Sequence, residues 1–176
     1  MENNPIIEEL KAFAGMNWNA KQKAYFERMA ADAKPVQCVS VRDVFTADEI
    51  RQIKRVLRPK KHQCYRNAAL LTELFPGRVK YVEGFGWNRI VKVEHAFNRV
   101  GDKYIDITWE MVLNEDVTTY PYAALIEAER DEILADIQAH DNTTGDYYIH
   151  KYIEGQKKGR HPVKDADRAI TESDTR

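Results

Sequence analysis

The spacing of apolar residues along the chain predicts a succession of helices and strands. Apolar positions three or four residues apart are typical of a helix with one buried face, and alternating positions are typical of a half-buried strand. The predicted helices are Pro5–Phe13, Asn19–Ala33, Ala47–Leu57, Gln63–Phe75 and Pro121–Ala139. The predicted strands are Val36–Val41, Arg78–Gly84, Val91–Arg99 and Lys103–Thr108.

The sequence after residue 140 carries weaker signals. Residues 141–145 are rich in turn formers and predict a loop. Asp146–Ile153 fits either a strand or a last helical turn. From Gln156 onward the chain is charged and lacks apolar periodicity, so we expect a mobile tail. We therefore predict one domain over residues 1–155, followed by a tail over residues 156–176.

Composition and charge narrow the classes of function. The chain has 176 residues, 43% of them apolar, and a formal net charge of −1. These values are ordinary for one globular domain, and a near-zero charge gives no general attraction to nucleic acid or to an anionic membrane. No apolar run is long enough to span a bilayer, and the first ten residues lack the pattern of a secretory signal. We therefore expect a cytoplasmic protein with no membrane partner, and nucleic acid is a disfavoured partner.

The two cysteines, Cys38 and Cys64, differ in their sequence surroundings. In a reducing cytosol both should be thiols, and a disulfide between them is the less favoured alternative. Neither has a second cysteine nearby, so we expect no structural zinc site. Cys38 lies in an apolar strand and is interpreted as a core residue. Cys64 lies at a predicted helix start, where the helix dipole favours the thiolate and free backbone amides could hold an oxyanion.

His95 and Asp106 lie on two predicted strands that a hairpin joins. If residues 101 and 102 form a two-residue turn, His95 and Asp106 are diagonal neighbours on one face of the sheet. If residues 99 and 102 close the turn, they lie directly opposite each other. A three-residue loop would place them on different faces. In either of the first two registers, His95 could take a proton from Cys64, and Asp106 could fix the tautomer of the imidazole.

Each of these three residues also has a purely structural interpretation. A cysteine near a helix start is often a small buried residue, and a histidine in a strand is often a core or surface residue. Asp106, however, lies between Ile105 and Ile107, where an unpaired carboxylate would be costly to bury. Because His95 is a partner within reach, we favour Cys64, His95 and Asp106 as a catalytic triad.

Four further residues are candidates for supporting roles. Gln63 could donate a hydrogen bond to an oxyanion, or could serve only as the start of the helix. His62 and the two lysines before it are interpreted first as a solvated basic loop. The alternative is that this loop lowers the pKa of the nearby thiol or binds an acidic group. Trp87 and Trp109 are candidate substrate-binding residues, although such aromatics more often pack in a core.

The segment Gln63–Thr108 resembles the transglutaminase-like core of the papain-like superfamily. A cysteine is followed by small and apolar residues in CYRNAALL, and a strand ends in a glycine-aromatic pair in YVEGF. A histidine-alanine-aromatic sequence follows, and after the hairpin come an aromatic, an aspartate and a threonine in YIDIT. Small uncharacterised proteins of this type occur in bacteriophage and bacterial genomes. The chain differs in having His62 and Gln63 where many members have glycine or tryptophan, and Ile107 where many have proline.

The resemblance implies a papain-like or transglutaminase-like α+β fold, in which helices pack on a short antiparallel sheet. It also implies a cysteine-dependent enzyme that transfers an acyl group through a thioester, most simply a peptidase, isopeptidase or amidase. The expected substrate is a peptide or protein amide, and no metal or organic cofactor is expected. The alternatives within the same family are a transglutaminase-type acyltransferase and a catalytically inactive binding module.

Overall fold

The computed structural model describes residues 4–140, which form a mixed helix and sheet architecture. The loop expected at 141–145, the element expected at 146–153, the domain boundary at 155 and the tail lie outside the described residues. The helices are α1 (Pro5–Ala14), α2 (Ala20–Asp32), α3 (Ala47–Gln52), α4 (Cys64–Leu74) and α5 (Arg130–His140). The strands are β1 (Lys34–Val36), β2 (Val79–Asn88), β3 (Val91–Val100), β4 (Lys103–Ile105) and β5 (Tyr122–Ala128).

The five strands form one antiparallel sheet in the order β1-β5-β2-β3-β4. Two residues after β1, Cys38 forms a bridge with Tyr104 of β4, and the Val39 amide donates to the Tyr104 carbonyl at 2.8 Å. This contact brings the two edges of the sheet together, so the sheet is curled. The expectation of helices packed on a short antiparallel sheet is confirmed at this level of description.

The longest pairing in the sheet is the hairpin of β2 and β3. It runs in unbroken register from Val79 opposite Val100 to Asn88 opposite Val91. Arg89, in the two-residue turn between these strands, has a left-handed backbone with φ of 52°. The strand β2 is therefore longer than the sequence predicted, because it continues through Gly84 and Gly86 beyond the expected end.

The predicted helix Pro121–Ala139 is wrong in its first half. Tyr122–Ala128 is a strand that pairs with β1 on one side and β2 on the other, and α5 begins only at Arg130. Nearly every residue of β5 is buried, as expected for a strand inside a sheet that is covered on both faces. A short apolar run of this kind fits a buried strand as well as a buried helix, so periodicity alone could not separate the two.

Two other predicted strands have different bounds in the structure. The prediction Val36–Val41 shares only Val36 with β1, which covers Lys34–Val36, and it extends too far, because residues 41–43 form a 3-10 turn. The Glu110 carboxylate holds that turn by accepting hydrogen bonds from the Ser40 hydroxyl at 2.6 Å and the Val41 amide at 2.8 Å. The prediction Lys103–Thr108 also extends too far, since β4 ends at Ile105 and the chain turns immediately afterwards.

The core joins the helices to both faces of the sheet. α1 and α2 pack against β2 and β5, whereas α3 and α4 pack over the start of β2 and the end of β4. Side chains from all five strands meet in a third cluster on the side toward which the sheet curls, with Phe97, Trp109 and Tyr122 among its members. Burying one aromatic side chain of this kind stabilises the fold by roughly 2–3 kcal/mol. None of the helices within residues 4–140 is long and apolar enough to cross a bilayer.

Candidate active site

The nucleophile candidate, Cys64, is the first residue of α4 and is partly exposed. Gln63 stands at the N-cap position with φ of −125°, and its side chain makes no capping hydrogen bond. The first backbone N–H groups of a helix have no partner within the helix, and they create a positive electrostatic potential. The thiol therefore lies where a thiolate and a developing oxyanion are both stabilised.

A buried asparagine on α4 fixes the chain just before Cys64. The Asn67 side chain accepts a hydrogen bond from the Lys60 amide at 3.0 Å and donates one to the Lys60 carbonyl at 2.8 Å. It also donates to the Thr108 hydroxyl at 3.1 Å. Asn67 thus joins three parts of the molecule, namely the loop before Cys64, the helix that carries it and the turn that follows Asp106.

His95 and Asp106 meet as the first of the two predicted registers requires. Val100 pairs with Lys103 around a two-residue turn. Although Asp106 lies one residue beyond the end of β4, its Oδ2 is 2.6 Å from Nε2 of His95. Both side chains are buried, with 3% and 1% of their surfaces exposed. The bond to Nε2 leaves Nδ1 as the ring nitrogen that can serve Cys64.

The Asp106 carboxylate is held by four hydrogen-bond donors. Its Oδ1 accepts from the backbone amides of Thr108 at 2.9 Å and Trp109 at 3.0 Å. Its Oδ2 contacts His95 and also accepts from the Tyr122 hydroxyl at 3.0 Å. These bonds compensate the cost of burying a carboxylate and fix the direction in which it faces the imidazole.

The electrostatics of His95 connect it to Cys64 as well as to Asp106. Burial by itself disfavours the charged imidazole, but the charge and hydrogen bond of Asp106 outweigh it. A hydrogen bond with Cys64 and the charge of its sulfur act in the same direction, so the pKa of His95 is raised from 6.5 to about 10. The structure therefore brings together Cys64, His95 and Asp106 in that order. The raised pKa of His95 favours the protonated imidazole at neutral pH.

Trp109 covers the imidazole. Its ring stacks on His95 with a centroid separation of 4.4 Å and an interplanar angle of 27°. Gly86 makes room for this arrangement, because a Cβ there would lie 2.5 Å from the far edge of the indole. With only 8% of its surface exposed, Trp109 is placed to position His95 and keep water from it. Trp87, the other aromatic candidate, is half-buried and packs against the core cluster shared by α1 and α2.

The second cysteine, Cys38, lies near Asp106 and Tyr122. Cys38 is buried, and it is a hydrogen-bond partner of Tyr122. Burial raises the pKa of the Cys38 thiol well above its ordinary value, and the nearby Asp106 adds to the effect. Cys38 is therefore held as a neutral thiol in the core, and the two cysteines are both free.

Gln63, the candidate oxyanion donor, has an amide that the protein does not satisfy completely. Its side-chain oxygen is shielded from solvent and has no hydrogen-bond partner among the described residues. The two ends of a glutamine amide are interchangeable by a rotation, so an N–H group can occupy the same place. Because Gln63 directly precedes Cys64 and has this unpartnered amide, it remains a candidate donor to an oxyanion.

Tyr122, Asn67 and Thr108 are site residues to which the sequence analysis assigned no role. The wrong prediction of a helix from Pro121 onward concealed the role of Tyr122. Its hydrogen bond to Asp106 depends on the position of β5 inside the sheet. Asn67 and Thr108 did have a signal. Both are polar residues in otherwise apolar segments, where a polar side chain has to find a partner.

Comparison with protein-family models, with curated proteins and with solved structures finds no match to this chain. Within residues 4–140, no three histidine, cysteine, aspartate or glutamate side chains are arranged to hold a metal ion. The site is thus characterised by its own geometry.

Proposed function

We propose that this chain is a cytoplasmic cysteine-dependent enzyme with papain-like or transglutaminase-like architecture. Its reaction is acyl transfer through a thioester, most simply the hydrolysis of a peptide or isopeptide amide. Cys64 is the nucleophile, His95 the base and acid, and Asp106 the residue that orients His95. Gln63 and the start of α4 stabilise the oxyanion.

One observation carries the proposal. A buried imidazole has one ring nitrogen bonded to a carboxylate at 2.6 Å, while a partly exposed thiol at a helix start is its other partner. A histidine with only a structural role would not require a thiol as its second partner. A cysteine with only a structural role would not have to lie at the start of a helix. The carboxylate is itself fixed by three further donors, so the orientation of the imidazole is determined in advance.

In the first half of the reaction, the Cys64 sulfur attacks the amide carbonyl carbon and forms a tetrahedral oxyanion. The thiol proton resides on Nδ1 of His95. Collapse of the oxyanion breaks the C–N bond, His95 gives this proton to the leaving amine, and an acyl-thioester remains on Cys64. In the second half, His95 takes a proton from water, which attacks the thioester and releases the acid and the Cys64 thiolate. An amine in place of water would give transglutaminase-type transfer.

Alkylation by iodoacetamide tests the nucleophile. We expect Cys64 to be modified faster than a free thiol near neutral pH, because it is partly exposed and lies at a helix start. We expect Cys38 to be unmodified in the folded protein, because it is buried. Peptide mass spectrometry would assign the modified residue between pH 5 and 10. Cys64→Ala should abolish the reaction and Cys38→Ala should leave it unchanged. A reaction rate at Cys64 no greater than that of an ordinary thiol would contradict the proposal.

A substrate panel tests the reaction. Peptide and isopeptide amides would be incubated with the wild-type protein and with Cys64→Ala, with and without an amine acceptor. Release of acid identifies a hydrolase, and incorporation of the amine identifies an acyltransferase. Binding of a panel peptide without turnover, in a protein whose Cys64 has ordinary reactivity, would favour the inactive binding module instead.

A further inference from the structure

Cys64 lies in a stretch of sequence that carries positive charges only. Between Glu49 and Glu73 the sequence contains seven lysines and arginines and no acidic residue, although the whole chain has a net charge of −1. The segment consists of the end of α3, the turn that follows it, the loop before Cys64 and most of α4. Such an imbalance creates a local positive field that the overall charge does not reveal.

The basic residues in the loop before Cys64 are exposed. Arg58, Lys60, Lys61 and His62 all have exposed side chains. Within residues 4–140, no ion pair involves Arg58, Lys60 or Lys61. Glu94 is the acidic residue next to His95 in the sequence and could be expected to neutralise these charges. Its side chain projects from the opposite face of β3, however, because neighbouring side chains in a strand alternate. These positive charges are therefore not neutralised by the described part of the protein.

The backbone of this loop is fixed. Arg58 and His62 adopt left-handed conformations with φ of 47° and 60°, which ordinary residues avoid unless the surroundings impose them. Between them, both backbone polar groups of Lys60 are bonded to the buried Asn67 side chain. The backbone positions of Lys60 and Lys61 are consequently fixed beside the start of α4.

We propose that the substrate of this site is acidic, namely a peptide or protein segment with carboxylate side chains next to the amide that Cys64 attacks. This inference rests on the proposed function and names the substrate class. Carboxylates near the scissile amide would meet Lys60, Lys61 and Arg58 as the carbonyl reaches Cys64. Single-stranded nucleic acid fits less well, because it is bound with aromatic side chains on which bases stack. Besides His62, the only aromatic residue between Glu49 and Glu73 is Tyr65, and it packs against a core cluster.

Two alkylating reagents test the charge of the site without requiring the natural substrate. Iodoacetate and iodoacetamide react in the same way: the sulfur forms a bond to the methylene carbon as the C–I bond breaks and iodide leaves. They differ only in that iodoacetate is an anion. The ratio of their rate constants at Cys64 therefore reports the local potential, and any change in the fraction of thiolate cancels from the ratio.

We expect Lys60→Glu/Lys61→Glu to lower the iodoacetate-to-iodoacetamide ratio about tenfold at low salt. Raising the salt to about 1 M should remove most of the difference. The matched control is Lys103→Glu, which reverses an exposed charge at the turn between β3 and β4. Lys103 pairs with Val100, which lies five residues along β3 from His95, a distance of about 17 Å. The control should leave the ratio unchanged. Lys61→Glu alone provides a milder variant if the double one is poorly folded. An unchanged ratio, or an equal fall in the control, would overturn the proposal.

Protection of Cys64 tests the substrate class directly. A glutamate-rich peptide should slow alkylation of the wild-type protein by iodoacetamide and should not protect Lys60→Glu/Lys61→Glu, whereas a lysine-rich peptide of equal length should protect neither. Protection by single-stranded DNA and not by the acidic peptide would overturn the proposal in favour of a nucleic-acid partner. Cys64 could react no faster than an ordinary thiol while the charge-reversed variant still lowers the iodoacetate-to-iodoacetamide ratio as expected. That result would reject the proposed enzymatic function but not the anion-binding surface.

Discussion

Tyr122 donates a hydrogen bond to the carboxylate oxygen of Asp106 that also contacts His95. The phenol lies on β5, between β1 and β2 in the sheet, and it is fully buried. Burial raises the pKa of Tyr122 far above its ordinary value, and the adjacent Asp106 raises it further. The hydroxyl therefore remains a donor at any pH at which the protein is folded, and it permanently limits the rotation of the Asp106 carboxylate.

Removing this hydroxyl should impair the site more than the fold. In Tyr122→Phe, Asp106 keeps three of its four donors, so we expect the free energy of unfolding to fall by only about 1–2 kcal/mol. Because Oδ2 is then held by His95 alone, we expect alkylation of Cys64 to slow by about threefold to tenfold. Urea unfolding and the iodoacetamide rate constant, measured on the same preparation, would give both quantities.

Tyr120→Phe is the matched control for this prediction. The Tyr120 hydroxyl bonds to Glu115 at 2.6 Å and to Arg89 at 2.9 Å, away from Asp106. Tyr120→Phe should change the alkylation rate by less than about twofold, since neither of these bonds involves a residue of the site. If Tyr120→Phe and Tyr122→Phe slowed alkylation equally, the contact of Tyr122 with Asp106 would have no specific effect on the site.

Asp106→Asn should damage turnover far more than stability. The amide oxygen can still accept from the backbone amides of Thr108 and Trp109, so the turn after β4 can form. Its NH2 group would instead face His95 and Tyr122, replacing an acceptor by a donor and favouring the wrong imidazole tautomer. We expect turnover to fall by roughly 10²–10⁴ and the free energy of unfolding by about 1–3 kcal/mol. Unchanged turnover in the folded fraction, with a large loss of stability, would make Asp106 a structural residue and leave a Cys64–His95 dyad.

The raised pKa of His95 predicts how stability changes with pH. The folded pKa is about 10, against 6.5 as the ordinary value, so the folded state binds this proton more tightly than the unfolded state. Its contribution is fully present below about pH 6.5 and is lost as the pH rises toward 10. Relative to His95→Gln, wild-type stability should fall by up to about 1.4 kcal/mol per pH unit in this window. Urea unfolding between pH 6 and 9.5 would measure it, and parallel curves for the two proteins would contradict the prediction.

The parts of the site that the sequence predicted are those set by local signals. α4 follows from its apolar spacing and the Pro76-Gly77 pair that ends it, and the β3–β4 hairpin follows from a short turn. These two features place Cys64 at a helix start and leave few registers for His95 and Asp106. The observed register is one of the two that were compatible with contact between them.

The parts that the sequence did not predict depend on long-range pairing. The place of Tyr122 next to Asp106 requires β5 to insert between β1 and β2, which no local pattern indicates. The stacking of Trp109 on His95 depends on the turn that Asp106 itself organises, and on the space left by Gly86. An aromatic residue in the sequence can equally well line a substrate groove or pack in a core, so its role had to come from the fold.

Asn67→Ala should loosen the loop before Cys64 without unfolding the domain. The substitution leaves the Lys60 amide and carbonyl and the Thr108 hydroxyl without their buried partner, which should cost about 2–3 kcal/mol of stability. Because the backbone at Lys60 and Lys61 is then less constrained, trypsin should cleave the native protein there faster. Alkylation of Cys64 should become slower, because the loop before it no longer holds a fixed position. Thr72→Ala is the control: Thr72 is equally buried on α4, but its hydroxyl donates to the Ala68 carbonyl and accepts from Asn98, and it does not touch the loop. It should lower stability without accelerating cleavage at Lys60 and Lys61. Equal acceleration in both variants would indicate global opening, and the role of Asn67 in fixing the loop would then be rejected.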